Sequence, residues 1–404
     1  MSGYDVVVVG GRVAGAATAM LLARSGLRVA VVDRGRYGSD TVSTHALMRA
    51  GVLQLSRWGL LDRVVDAGTP PVHRTVFHYV GAPAVQVSLR PSGGVDALYA
   101  PRRHLLDRIL VDAAAAAGAE LLHETTVTGL LHDEEDRVCG VRATGPGGTP
   151  LELQAALTVG ADGLHSLVAR DVGAPVVRLG RSSSAVLYGY VTDLPVAGYE
   201  WAYGPGCAAG MVPTNDGQTG VFVATSPDRM RALRSGGTAR AFAALLAAAA
   251  PDLVPRVSSA PAPEQVRGWV GVPGFVRRPW GPGWALVGDA GYFKDPITAH
   301  GMTDALRDAE LLADQVVATL AHGKSEASAL RRYQATRDKL SNRLYDATAA
   351  IASYDWDMDR VQDLLRQLSS AMSDEVDHLQ GLPDHPIGTG LGAVVPQDTA
   401  ARRT

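Results

Sequence analysis

The stretch that decides the fold is Asp5 to Arg34, DVVVVGGRVAGAATAMLLARSGLRVAVVDR. Four consecutive valines, Val6 to Val9, suit a parallel strand buried on both faces. The run from Ala14 to Ser25 suits a helix closed by Gly26 at its C-terminal cap. A second strand, Arg28 to Val32, then delivers Asp33. Strand, glycine turn, helix and acid-terminated strand form a βαβ unit of the kind that cradles a dinucleotide. Gly10 permits the tight turn and Gly15 lets helix and strand pack closely. The helix start offers free N–H groups and partial positive charge to a pyrophosphate, and Asp33 is placed to hold ribose hydroxyls. Arg12 stands where the second glycine of G-x-G-x-x-G belongs. A side chain there shifts the phosphates unless it points away, and arginine can compensate by folding its guanidinium over them.

Outward from this unit the chain continues to alternate strands and helices. Val42 to Leu61 and Arg103 to Ala117 read as helices, and Leu121 to Val159 reads as strand-rich with turns at Glu134–Asp136 and Gly145–Gly148. From Ser184 to Ala224 short alternating strands such as AVLYGYV and GVFVA imply a separate antiparallel sheet. The α/β pattern returns at Gly283 to Ala290, GWALVGDA. A long helix follows, with Met302, Ala305, Leu306, Ala309, Leu312, Val316, Val317 and Leu320 on one side and Gly323 at its end. Helical pattern resumes over Ser325 to Leu379, and the Pro/Gly-containing remainder reads as a loose tail. The class is α/β: a Rossmann-like domain with a parallel sheet, an antiparallel-sheet substrate domain and a helical C-terminal region. The expected boundaries are 1–68, 98–176 and 277–324 for the first, 69–97 and 177–276 for the second, 325–380 for the third and 381–404 for the tail.

At 404 residues the chain exceeds what one core usually serves, and it can bury a large cofactor. Apolar residues make up 46% and charged residues 20%, and the formal net charge of −3 gives no electrostatic reason to expect nucleic acid. Cys139 and Cys207 lack metal or redox spacing and read as inert thiols. No metal site is expected. The first strand begins too early for a signal peptide, and the longest Ala/Leu run, Ala241 to Ala250, is too short to span a bilayer. A cytoplasmic protein without stable membrane insertion, acting on a small molecule, is the expectation.

Two further stretches carry chemistry. Gly160–Ala161–Asp162–Gly163 follows an apolar strand and leads to Ser166 and Arg170; alone it reads as a surface turn. GDAGYFKDPITAHGM, Gly288 to Met302, places a carboxylate at a strand end and then a helix start near Gly301. Such an arrangement can bind polyol hydroxyls and face an atom that becomes anionic.

In this order the three stretches resemble FAD-dependent enzymes of the p-hydroxybenzoate hydroxylase fold, which include class A aromatic monooxygenases, geranylgeranyl reductase-like proteins and flavin-dependent halogenases. The resemblance runs over roughly residues 4 to 345. It implies that Gly10, Gly15 and Asp33 belong to the first FAD motif, that Asp162 and Gly163 lie near the pyrophosphate, and that Gly288 and Asp289 meet the ribityl chain. It sets Pro296, Gly301 and Met302 beside the isoalloxazine ring and Arg103 against the cofactor. Ala14, Arg34 and Val127 complete the expected FAD wall, with Arg12 at the diphosphate or active site. His45 and His300 are the candidate catalytic residues, although a histidine at a helix start also serves as a cap or a packed ring. Tyr292 could touch the ligand and Lys294 reads as solvent-facing, while Trp201, Tyr203 and Met211 read more readily as core than as a stacking surface.

The function expected is FAD-dependent monooxygenation of an aromatic or polycyclic small molecule. Hydride would come from transiently bound NAD(P)H or from a partner flavin reductase. Reduction or dehydrogenation of the geranylgeranyl reductase type is the alternative. A W-x-W-x-I-P signature is missing between the FAD motifs, and Gly268 to Gly274, GWVGVPG, has the wrong pattern, which demotes halogenation. Intact glycine–aspartate motifs demote a non-catalytic binding module. Oligomeric state is not legible.

Overall fold

A computed structural model describes residues 3–41 and 43–383. Strand β1 (Tyr4–Val9), helix α1 (Val13–Arg24) and strand β2 (Val29–Val32) form the opening unit. The valine run is buried on both faces for a visible reason. Val6 and Val8 join the core under α1, while Val7 and Val9 join a second core on the opposite side of the sheet. β1 lies between β2 and strand Pro150–Gly160, parallel to both, and Glu120–Leu122 and Trp284–Leu286 extend the parallel sheet on either side. Helix Gly301–Leu320 and helix Arg103–Ala116 bury their apolar residues against α1 in the first of these cores.

A seven-stranded sheet draws Arg74–Tyr79 and Ala82–Ser88 from the region before helix Arg103–Ala116 and its other five strands from Ala185 to Val270. It is not wholly antiparallel as the alternation suggested, because Tyr199–Gly204 pairs in parallel with Arg74–Tyr79. One face packs on helix Thr238–Ala249, and the other meets Leu344, Ile351, Leu364 and Leu368 of the C-terminal helices. The class is α/β, with a parallel-rich sheet, a second sheet of mostly antiparallel strands and C-terminal helices. The exact three-part division of the chain stands as a proposal.

Two local expectations need correction. The helix read from Val42 to Leu61 is Arg49–Arg57, preceded by an irregular segment in which His45 takes a left-handed φ of 61°, a conformation that cannot continue a right-handed helix. The helical run after Ser325 is two helices, Glu326–Ile351 and Met358–Gln380, interrupted near Tyr354 with its φ of 57°. Of the expected tail, residues 384–404 lie outside the described residues, as does Val42. Among the described residues no single helix is long and apolar enough to cross a membrane.

Candidate functional site

One cavity of about 770 Å³ runs from the end of β2 to the start of helix Gly301–Leu320 and on to the seven-stranded sheet. Its first part is made of backbone turns. Gly10, at φ 103°, abuts the carbonyl of Ala161: a Cβ there would sit 2.4 Å from that oxygen. A Cβ at Gly15 would lie 1.8 Å from the Gly10 carbonyl, so this glycine brings α1 against the turn without itself lining the cavity. Asp33 accepts from the amides of Gly11 and Gly35, each at 2.6 Å, which fixes its carboxylate at the cavity edge with lone pairs to spare.

Arg12 occupies the cap position of α1 and lines the cavity. Its Nη2 donates weakly to Ser39 at 3.4 Å and its Nη1 lies 3.7 Å from Asp107. Arg103 grips the same Asp107 with two bonds of 3.0 and 3.1 Å. Burial pushes the Asp107 carboxyl up, and the two guanidinium groups beside it act against that. Two cations thus share one buried carboxylate, and Arg12 Nη1 is buried without a hydrogen bond among the described residues. An unsatisfied buried donor costs about 1–3 kcal/mol, so this wall is suited to an anion.

Arg34 and Val127 also line this part. Asp162 lines it too, yet its carboxylate is turned to its own chain: it accepts from Ser166 Oγ at 2.5 Å and from the Leu167 and Val168 amides at 2.6 and 3.2 Å. Its part is to shape the turn, leaving Gly163, at φ 76°, facing open space in the cavity wall.

The second part begins at Gly288, whose φ of 60° and missing side chain let the strand end approach Ala14: a Cβ would be 2.9 Å from that methyl. Asp289 projects into the cavity wall, where burial pushes its carboxyl up to about 6. Asp295 ties the next loop to the seven-stranded sheet by accepting from Ser184 N and Oγ at 2.6 and 2.7 Å. Pro296, Gly301 and Met302 line the cavity, and nothing stands within 4 Å of the Cβ position at Gly301. The amide end of the long helix therefore opens directly on the cavity, suited to an atom that gains negative charge.

Beyond it the walls are aromatic: Tyr188, Tyr190, Phe222, Trp269 and Phe293, with Val186 and Val212. Val186, Tyr188 and Tyr190 alternate along one strand and so share its cavity face, while Leu187 and Val191 enter the core behind. His45, only 3% exposed, closes this end with its Nε2 hydrogen-bonded to the Tyr190 hydroxyl.

Several expected residues lie elsewhere. His300 is buried outside the cavity lining, bonded at 2.8 Å to Glu375 of the last helix, and burial lowers its pKa despite that carboxylate. Lys294 is not solvent-facing but 6% exposed, paired with Asp304 and part of the cavity wall. Both belong to a buried ionic cluster in which Arg307 bonds Asp304, Glu375 and Asp308 at 3.0, 2.8 and 2.7 Å. His300, Asp304 and Glu375 are close enough for an ion, but Lys294 and Arg307 already supply their positive partners. Tyr292 is buried and donates to Ser341 O at 3.4 Å. Trp201 and Tyr203 pack in the core on the cavity side of the sheet and Met211 in the core behind it. Sequence reasoning missed the aromatic pocket's Tyr190 and Phe222; the period of two in AVLYGYV was the signal available.

Glycine turns, an acid at a strand end, a half-buried carboxylate and an open helix start lie along one cavity, an arrangement that suits a flavin dinucleotide. The comparison with known families agrees: the family described as an FAD binding domain matches residues 3–348. The chain belongs to that family, and it is an FAD-dependent oxidoreductase. It is 27% identical over 355 residues to the digeranylgeranylglycerophospholipid reductase of Methanocella arvoryzae, covering 85% of each chain. It is 25% identical over 407 residues to the protein of the same name from Methanosarcina acetivorans, covering 94% of this chain and 92% of that one. Among solved structures it shares its fold with PqsL of Pseudomonas aeruginosa, described as a probable FAD-dependent monooxygenase, at a TM-score of 0.77 and 22% identity over 92% of this chain and all of that one. The flavin-dependent brominase Bmp2 follows at 0.76 and 19%, covering 95% of each chain. The residues present fit FAD, since the orphaned Arg12 donor and the open faces of Gly163 and Gly301 are what a diphosphate and a flat ring require.

Proposed function

We propose that this protein is an NAD(P)H- and O2-dependent monooxygenase of an aromatic or polycyclic small molecule. The observation that carries the reading is the aromatic half of the cavity, five rings lining the same cavity on which the helix opens at Gly301. Flat faces of this kind favour a flat ligand. Bound FAD supplies the hydride acceptance and oxygen activation. The chain's part is to hold, orient and shield: Gly10, Arg12, Asp33 and Arg103 the adenosine diphosphate half, Asp289 the ribityl chain, Pro296, Gly301 and Met302 the ring. His45 stands at the substrate end, whereas His300 acts at one remove through Glu375 and the ionic cluster. Hydride enters from NAD(P)H bound in passing or from a partner flavin reductase.

The test is oxygen uptake and NADH or NADPH oxidation by the FAD-loaded protein against a panel of phenols, fused aromatics and aromatic ketones. Substrate-stimulated uptake with one oxygen atom gained by the product is expected. Matches to two digeranylgeranylglycerophospholipid reductases over most of the chain favour a second reading, reduction of a prenyl alkene. Alkene reduction without oxygen use, and no response to any aromatic, would replace the first reading by the second.

A further inference from the structure

Among the groups that wall the aromatic half of the cavity, His45 and Tyr188 each have a buried polar atom without a hydrogen-bond partner among the described residues, and His45 is the one held by its backbone and by a neighbouring hydroxyl as well. Its backbone is left-handed, φ 61°, a costly state for a residue other than glycine that persists where the surroundings enforce it. Here the enforcement is visible. The His45 amide donates to Ser43 Oγ at 3.0 Å, and the ring is only 3% exposed. Its Nε2 meets the hydroxyl of Tyr190, from the facing sheet. Tyr190 is itself fixed, with the Arg102 guanidinium 3.7 Å over its ring. Arg102 is held in turn by Asp40 at 3.1 Å, Gln218 at 2.8 Å and, through its amide, Asn215 at 2.9 Å.

This arrangement selects a tautomer. Either atom of the His45 Nε2–Tyr190 hydroxyl pair can donate, but the hydroxyl has one proton to place and no other partner among the described residues, so the pairing that satisfies it has the hydroxyl donating. Nε2 therefore accepts, and the ring proton resides on Nδ1. Nδ1 is buried and has no hydrogen-bond partner among the described residues. Burial, then the charges of Arg102 and Arg103, push the His45 pKa down to about 3; Asp40 opposes them and His104 adds to them. The ring stays neutral at ordinary pH, so it offers one N–H and no charge. The two arginines nearby favour an electron-rich atom in front of it.

We propose that His45, set as the Nδ1–H tautomer by Tyr190, is a hydrogen-bond donor reserved for an acceptor oxygen on a flat ring bound in the aromatic half of the cavity. The oxygen belongs either to the flavin's own carbonyls or to a carbonyl or phenolate of the substrate. The inference rests on the FAD-binding reading of the cavity. Tyr190 is a positioning residue that acts through the imidazole.

The tautomer is read directly by ¹⁵N-histidine spectra of the FAD-loaded protein, with the His45 signals assigned by comparison with His45→Gln. A neutral ring protonated on Nδ1 from pH 5 to 9 is expected, with Tyr190→Phe mixing the tautomers. An Nε2–H tautomer or an imidazolium in that window overturns the proposal. The oxygen's source is read from two titrations of the wild type and His45→Leu: FAD into the apoprotein, and 1-tetralone, with tetralin as its match lacking the oxygen, into the FAD-loaded protein. A loss of at least about tenfold in FAD affinity assigns the oxygen to the flavin; the same loss for 1-tetralone alone, with tetralin unaffected, assigns it to the substrate. If neither affinity falls, including the case where 1-tetralone does not bind the wild type, the proposal is overturned. Should His45→Leu fail to fold, the same titrations with Tyr190→Phe replace it, with a smaller loss expected because only the tautomer is released. Failure of the wild type to bind FAD at all would sink the FAD-binding reading, while the spectra of the apoprotein would still decide the tautomer.

Discussion

The two ends of the cavity are built by different means. At the adenosine end the binding groups are Arg12, Asp33 and Arg103 set on backbone turns whose close approaches depend on the missing side chains of Gly10 and Gly15. At the ring end they are side chains brought from four separate parts of the chain: His45, Tyr190, Trp269 and Phe293. Backbone-built sites depend on a few glycines at fixed offsets, so they tolerate change around them and little change in themselves. The side-chain-built end rests on long-range partners such as Lys294 with Asp304 and Arg307 with Glu375, so its disruption should propagate into the fold.

The sharpest way to break this contrast is Glu375→Leu. It leaves Arg307 and His300 without a buried anion that both contact, at 2.8 Å each, and removal of one member of a buried ion pair typically costs about 3–5 kcal/mol. Urea unfolding should show a loss of that size, with FAD affinity of the remaining folded protein falling as the start of helix Gly301–Leu320 loosens. A smaller effect is expected at the other end. Arg12→Gly restores the glycine of the common motif but removes a cavity cation, and about 1.5–3 kcal/mol is typical of a hydrogen bond to a charged group. FAD titration should show weaker binding with unfolding unaltered; equal affinity would mean that the guanidinium is idle.

A third effect concerns pH. Asp289 keeps its proton up to about 6, whereas an unfolded aspartate releases it near 3.9. The native apoprotein therefore binds more protons between those values, and its stability should fall as pH rises from about 4 to about 6. Asp289→Asn should flatten that slope in thermal unfolding of the apoprotein.

The same contrast explains what could be read from the sequence. The βαβ unit, the turn at Asp162 and the strand-to-helix passage at Gly288 were legible because glycine spacing reports backbone requirements directly. The start of the helix at Arg49 was not, because nothing in STHALM marks His45 as left-handed; that conformation is imposed by Ser43 and Tyr190. Lys294 read as exposed because a lysine is seldom buried, while what buries it is the fold around the ionic cluster, including Glu375 from the last helix. The alternation of Val186, Tyr188 and Tyr190 announced a two-faced strand, but only the packing of helix Thr238–Ala249 behind it tells which face meets the ligand.

That one cavity takes a single dinucleotide from Asp33 to Gly301 is tested most directly by titrating FAD and ADP into the wild-type apoprotein and into Gly301→Leu. The new side chain enters open space at the ring end, far from the adenosine turns. ADP should bind both proteins within about threefold, while FAD affinity of the variant falls by at least about a hundredfold, equivalent to about 2.7 kcal/mol. FAD binding the variant as tightly as the wild type would contradict the placement of the ring beside Gly301, and with it the account of the site.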